Sequence, residues 1–541
     1  MAEERRVRRA TGAAALLDKA RQLRAQASQQ QYDVQAWEAL VDDVKAMPGI
    51  SDDLRAAFEE IVAVMPSASS VWARYVELEL REAPGLETAK QIFGRCLLAC
   101  PSLDLHQQYL RFVKRSNEPR GPQGLPEVRS AYEFSLDTLG QDLAAGALWQ
   151  EYISFLLSSK PGSEAFKALY AGAMEGQEEA ARTPMVRRAY QRAVVVPSLQ
   201  LEALWRAYES WEMRTDKQLG KKVLEEWRPR FQAARAAVRE RRNRLDALHL
   251  TALPFPPGKG GQPQQLQSKA WSNYLAYEKS NPQKLEPDSP LLVTRVTLAY
   301  SQCLTVMWFH PEVWYDYAMT QLDLAPERAL AVLARGQRAL PACTLLKFTH
   351  AEILELQGLK DGAKQVFETM ALQLEAEVPQ KAGEGADEGL KQEVPLTAPT
   401  PSPYGGEQGA LIWVHYMSLL RRLGEVPQAR QLFLRARRWQ LASPATRSPS
   451  SSAPTATGSL KQAVAQQQTS TSGWQLYAAM AHMEWVACGR ASITVPCKVF
   501  ELGLEDVVLA KDPEYVLAYQ ALLQDAGDTD NARALFDHRP G

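Results

Sequence analysis

The sequence predicts an all-α chain, an α-solenoid of about eleven helical hairpins. Three observations carry this. Aromatic residues recur at helical steps of three and four. Trp37 and Trp72 stand about 34–35 residues apart, the length of a two-helix repeat. Proline, glycine and serine punctuate the chain between the periodic stretches.

The clearest repeat is 186–212. Arg187, Tyr190 and Ala193 fall on one helical face, Pro197 and Ser198 stop the helix, and Trp205, Tyr208 and Glu212 fall on one face of the next. The second helix recurs as Trp72, Tyr75 and Glu79 and as Trp271, Tyr274 and Glu278. Leu345, Phe348 and Glu352 keep the spacing without the indole. Trp37 with Leu40, Trp149 with Tyr152, Trp314 with Tyr317, Trp413 with Tyr416 and Trp474 with Tyr477 keep its first two positions; His106 with Tyr109 and Val516 with Tyr519 are degenerate copies. The companion helix carries a basic residue, then an aromatic three on, often followed by an acid: Arg55, Phe58 and Glu59; Arg129, Tyr132 and Glu133; Lys364, Phe367 and Glu368; Arg533, Phe536 and Asp537. Small residues (Ala89, Ala363, Ala429, Ala532) open several of these helices, where two helices can approach closely. One hairpin cannot bury its own aromatic face, so neighbours stack to hide it. The rings are therefore expected to be core, and the seam's Glu and basic residue either pair or point outward.

Taken in order, residues 1–30 are a polar segment. Its Arg5, Arg6, Arg8 and Arg9 form either a basic patch or, the better-supported reading, the solvated face of a frayed helix. Residues 31–252 form an N-terminal block of hairpins, ending in a long helix with Pro229 inside it. Arg235, Arg239, Arg241, Arg242 and Arg244 near its end are a candidate basic patch for phosphates or an acidic partner; Glu240 and Asp246 allow the alternative of a balanced, solvated face. The proline- and glycine-rich stretch 253–267 breaks the array, and residues 268–541 form a C-terminal block. Two inserts in that block, 375–409 and 442–472, have the composition of disordered loops. The last companion helix has nothing after it to cover it, so another surface or further repeats are expected there.

Bulk properties fit a binding array. Hydrophobic residues make up 45% and charged residues 23%, and the net charge of −1 provides no overall basic field for nucleic acid. No apolar run approaches the roughly 20 residues needed to span a bilayer, so no membrane partner is expected. The six cysteines form no close Cys-x-x-Cys pair and suit a reducing compartment. The seven histidines are isolated from one another. Neither zinc-enzyme spacing, a Gly-x-Ser-x-Gly elbow, a dinucleotide fingerprint nor a phosphate loop around Lys259 is present. The expectation is no catalytic residue, no metal and no cofactor.

The Trp-x-x-Tyr helix followed by the Arg-x-x-Phe/Tyr-Glu helix resembles the HAT (half-a-TPR) repeat. The longer runs 186–212, 270–282, 293–304 with 310–317, 413–422 with 429–438, and 515–519 resemble the suppressor-of-forked family, the HAT-repeat subunits of cleavage stimulation factor. The resemblance covers about 32–536. It implies a nuclear, non-enzymatic scaffold of pre-mRNA 3′-end cleavage and polyadenylation, with two HAT halves meeting at an elbow where 253–267 falls. It further implies a homodimer through the C-terminal block and contacts with the other cleavage stimulation factor subunits and with the cleavage and polyadenylation specificity factor. Pre-mRNA would be met mostly indirectly. The family's proline-rich tail, which recruits an RNA-recognition-motif subunit and a WD-repeat subunit, has no counterpart in this sequence. A HAT scaffold of splicing or ribosome biogenesis, or an array that binds RNA itself, is the alternative.

Overall fold

In a computed structural model of the chain, the described residues are 2–29, 32–82, 86–170, 176–258, 261–287, 289–376, 406–442 and 473–537. Among them there are helices and turns and no strand. Most of the inserts expected at 375–409 and 442–472 lies outside the described residues, as do the side chains of Arg5, Arg6, Arg8 and Arg9.

The chain divides into two compact units, Met1–Ala329 and Leu330–Gly541. The division falls within the helix Pro326–Ala339 and not at 253–267. That proline-rich stretch lies within the first unit, where Leu253 and Phe255 are buried and the Tyr32 hydroxyl donates to the Pro254 carbonyl at 3.0 Å. Glycine and proline mark an irregular backbone there, but the apolar residues between them hold it against the unit's core.

In the first unit the hairpins begin with Val34–Ala46 and Asp52–Val64, then Ser69–Glu82 and Leu86–Ala99, then Leu103–Asn117 and Leu125–Leu139. They continue with Gly146–Ser158 and Glu178–Ala193, Leu201–Thr215 and Lys217–Leu245, and Gln262–Lys279 and Pro290–Val306. The second unit repeats the plan with Thr344–Leu356 and Lys360–Ala376, Gly406–Arg422 and Val426–Ala442, Gln475–Ala487 and Thr494–Leu504, and Pro513–Asp525 and Thr529–Asp537. Within a hairpin the two helices pack on each other, and first helices of successive hairpins also touch. This is the packing that tandem hairpins need to hide one continuous apolar stripe. In the first unit a large core runs from Ala13 to Leu253, beside a small cluster of Phe166, Leu169 and Tyr170, and in the second unit a core runs from Ala351 to Ala532.

Local chemistry sets the helix ends. Asp33 accepts from the backbone N–H groups of Gln35 and Ala36, and Asp216 from those of Gln218 and Leu219, satisfying donors that the helix leaves open. Pro311 and Pro513 sit in first turns, where no N–H is missed. Ala89, Ala363, Ala429 and Ala532 are all buried, as a close helix approach requires. At Gly503 a Cβ would stand 2.0 Å from the Tyr515 hydroxyl oxygen, so only glycine lets that ring lie against the helix. The N-terminal helix Ala2–Ser28 is not simply a solvated segment: Ala13, Leu17, Ala20 and Leu23 are buried, and it packs on Asp52–Val64.

Candidate interaction surface

The aromatic seam is built from rings that stack between the second helix of one hairpin and the first helix of the next. Phe58 lies on Tyr75 (4.7 Å between centroids, 3° between planes), Tyr190 on Tyr208 (5.2 Å, 25°), Tyr300 on Tyr317 (4.7 Å, 12°) and Phe367 on Tyr416 (5.5 Å, 10°). Trp37, Trp72, Trp149, Trp205, Trp271, Trp314 and Trp413 are all buried, as are Tyr75, Tyr152, Tyr190, Tyr208, Tyr274, Tyr317, Tyr416 and Tyr477. These rings therefore present little surface to any ligand. Burial pushes the hydroxyls of Tyr75, Tyr152, Tyr208, Tyr274 and Tyr416 above the ordinary tyrosine range.

Trp474 departs from the predicted register. It caps the helix Gln475–Ala487, half-buried, and donates its indole N–H to Glu514 at 3.1 Å. Tyr477, Met480 and Glu484, spaced by three and four, fill the buried face instead. A similar shift occurs in Thr344–Leu356, where Leu345 and Glu352 are exposed while Leu346, Thr349 and Ile353 are buried. In both helices a second set of residues one register away takes the buried face.

In three seams the acid and base pair, whereas Glu352 points outward. Arg55 donates to Glu79 at 2.6 Å, Arg187 to Glu212 at 2.6 and 2.8 Å, and Arg430 to Glu484 at 2.6 and 2.8 Å, with each of these three glutamates buried. A second network, on the other side of the rings, escaped the sequence reading. Glu59, which follows Phe58, accepts from the Tyr75 hydroxyl at 3.3 Å and from Arg95 at 2.9 and 2.8 Å, while the Arg95 guanidinium lies 5.1 Å from the Trp72 ring centre. Glu133 does the same with Tyr152 and Arg192, which lies over Trp149 at 5.0 Å. Glu368 repeats it with Tyr416 and Arg435, which lies over Trp413 at 5.7 Å. The signal was present in the sequence: Arg95, Arg192 and Arg435 each stand two places after the companion helix's aromatic, Phe93, Tyr190 and Phe433. Each arginine reaches back to the acid of the preceding companion helix, clamping the indole between them.

The candidate basic patch separates into two environments. Arg241 is buried; it donates to Glu278 at 2.8 Å and to the Gln141 carbonyl at 2.7 Å. Burial works to lower its pKa, but Tyr274 and Glu278 outweigh that and hold it charged. Arg295, also buried, stands 3.3 Å from the same Glu278 and donates to Gln283. Burial lowers its pKa, against the pull of Glu278. Arg244 lies 4.6 Å from the Tyr277 ring centre and is bound to Glu240. On a continuous helix of 3.6 residues per turn, a run of five arginines cannot all face water when one side of the helix is core. The structure brings only Arg235, Arg239 and Arg242 together. They line a cleft of about 700 Å³ with Asn243 and Ser198, opposed by Glu202 and Asp246, and Arg235 is already bound to Glu202 at 3.0 Å.

Among the described residues no cluster of His, Cys, Asp and Glu is arranged to hold a metal, and no helix is long and apolar enough to cross a membrane. Cys96 is buried, and burial raises its thiol to about 12.

The model of the suppressor of forked protein family matches residues 18–444 and 461–539. The chain belongs to the suppressor-of-forked family. It is similar to cleavage stimulation factor subunit 77 of Arabidopsis thaliana, 30% identical over 89% of this chain and 54% of that protein. It is also similar to the mRNA 3′-end-processing protein rna14 of Schizosaccharomyces pombe, 27% identical over 95% of this chain and 65% of that protein. Protein suppressor of forked of Drosophila melanogaster is 26% identical over 94% of this chain and 62% of that protein. The chain thus spans between about half and two thirds of these relatives' length. A solved structure titled "crystal structure of CstF-77" overlaps 88% of this chain and 80% of its own, at 17% identity and a TM-score of 0.48.

Proposed function

We propose that this chain is a non-catalytic scaffold of nuclear pre-mRNA 3′-end cleavage and polyadenylation. It holds other cleavage stimulation factor subunits and the cleavage and polyadenylation specificity factor by protein–protein contacts, and it pairs with a second copy through residues 268–541, with 253–267 as the elbow. The observation that carries this reading is family membership over most of the chain, shared with relatives named cleavage stimulation factor subunit 77 and mRNA 3′-end-processing protein rna14. The seam agrees with it: rings and charges are consumed in stacking hairpins, which leaves a repeated surface to meet partners. A dimer would bring two copies of each partner to one RNA and raise their effective concentration.

The test is capture of the tagged chain from nuclear extract with the bound proteins identified, beside light scattering of the pure protein. The reading expects cleavage and polyadenylation subunits in the capture and a dimer in solution. A monomer at micromolar concentration, with no such subunits captured, overturns it. A second reading, direct RNA binding, is favoured by the Arg235, Arg239 and Arg242 cleft alone. It expects affinity that falls steeply as salt rises.

A further inference from the structure

A second cleft in the first unit differs in kind from the one above. It has a volume of about 660 Å³, within the usual range of binding pockets. Its walls come from Glu178–Ala193, Lys217–Leu245, Pro290–Val306 and the turn that precedes the last of these. Arg188, Arg192, Arg230 and Lys284 line it, and Glu286 is the one carboxylate among its lining residues. Arg192 is already engaged by Glu133 and Asp137. Among the described residues, Arg188, Arg230 and Lys284 have no carboxylate within ion-pairing distance. Three exposed cations that make no ion pair thus stand around one cleft that holds a single carboxylate.

The turn that carries Lys284 is firmly built. The Asn281 side chain donates to the Leu285 carbonyl at 2.6 Å and accepts from the Leu285 N–H at 2.9 Å. Gln283, buried, donates to the Val195 carbonyl at 3.1 Å and accepts from the buried Arg295. Lys284 itself has φ of 53°, a left-handed conformation that side-chain-bearing residues seldom adopt. Such a backbone is kept only where surrounding bonds over-determine it. The result is a lysine fixed at the cleft's edge, with Leu285 and Leu291 beside it as apolar wall.

We propose that this cleft docks an acidic segment of a partner protein that carries an apolar side chain between its carboxylates. The cations supply attraction and register, and the leucines, with Pro229 and Ala233, supply a dry seat. A nucleic acid strand fits less well. Single strands are held by free aromatic faces, whereas Trp227, the cleft's one half-buried indole, is covered by Arg230 at 4.5 Å. The proposal does not rest on the role in 3′-end processing, because it is read from charge and shape alone.

The test uses the full chain and a fluorescein-labelled synthetic peptide of about ten residues alternating glutamate with leucine, read by fluorescence anisotropy. Binding is expected at concentrations below about 100 μM. The triple variant Arg188→Ala, Arg230→Ala, Lys284→Ala is expected to bind at least about tenfold more weakly, with unchanged helicity and melting because all three side chains are exposed. A peptide with serine for leucine is expected to lose a similar factor. No binding at about 100 μM, or binding that the triple variant leaves intact, overturns the proposal. So does oligouridylate held through the same three side chains while the peptide is not.

Discussion

Two hairpin seams in the first unit solve one packing problem with different chemistry. In 186–212, Tyr190 stacks on Tyr208 and the buried Glu212 takes two hydrogen bonds from Arg187. Between Pro290–Val306 and Pro311–Leu324, Tyr300 stacks on Tyr317 in nearly the same way, but Gln321 replaces the glutamate and donates to Thr297 at 3.2 Å. The ring stack is common to both; the ion pair is not. The rings therefore set the packing of the two helices, and the polar position accepts a charged or a neutral partner; Gln321 is held through its amide N–H alone, its Oε1 having none. Burying a polar group costs free energy chiefly when it is left alone.

The comparison is broken hardest where one carboxylate serves two buried cations. Glu278 faces Arg241 and Arg295, which are as buried as it is. Glu278→Gln leaves two guanidiniums in the core without the carboxylate they share. It should lower unfolding stability by about 3–5 kcal/mol, the usual cost of breaking a buried pair from one side. Denaturant titration checks this. A loss below about 1 kcal/mol would mean that the cluster is hydrated and that the rule of a satisfied partner does not govern it.

His106 sharpens the comparison from the other direction, because it occupies a tryptophan position with neither ring nitrogen hydrogen-bonded. Burial lowers its pKa to about 4. The unfolded chain therefore takes up the proton first. Stability at this site is fully present above about pH 6.5 and is lost as pH falls through about 4, amounting to about 3 kcal/mol in all. In His106→Phe, which keeps a ring against Phe134, that part of the acid loss should vanish from denaturant midpoints measured between those pH values. An unchanged slope would show that the histidine is protonated in the folded chain.

The paired seam itself comes next. Glu212→Gln keeps the shape but leaves the half-buried Arg187 bonded only to a neutral oxygen. About 2 kcal/mol should be lost, in the range of hydrogen bonds to charged groups. The same substitution cannot be made at Gln321, where the neutral form is already native, and that is the asymmetry the two seams predict.

How much of this was legible in the sequence follows from period and partner distance. The hairpins were readable because Trp and Tyr at steps of three and four leave one helical solution. The pairing of Arg187 with Glu212 was legible only as a choice, since spacing places both at the seam without saying which way they turn. Trp474 misled because an indole outranks a tyrosine as a core marker, yet Tyr477, Met480 and Glu484 fit the same period one step on. The Arg241 assignment failed for a similar reason: five arginines look like a patch until the helix is given a buried side. The clamp of Arg95 on Glu59 spans two hairpins, and nothing local ties such residues together. The cleft at Lys284 was invisible for the same cause, its walls coming from segments about a hundred residues apart.

The smallest expected effect is the most direct test of the comparison. Arg187→Thr with Glu212→Gln converts the charged seam to the pair found at Thr297 and Gln321. If the rings hold the two helices and the polar site asks only for a partner, the double variant should lie within about 1 kcal/mol of the original, and above Glu212→Gln alone. Threonine is shorter than arginine, so the packing of the guanidinium against Trp211, 5.9 Å from its ring centre, is also given up. That lost contact sets the residual cost. A double variant no more stable than the single one would mean that Arg187 acts through Trp211 rather than through Glu212, and the two seams would then be alike in their stacked tyrosines only.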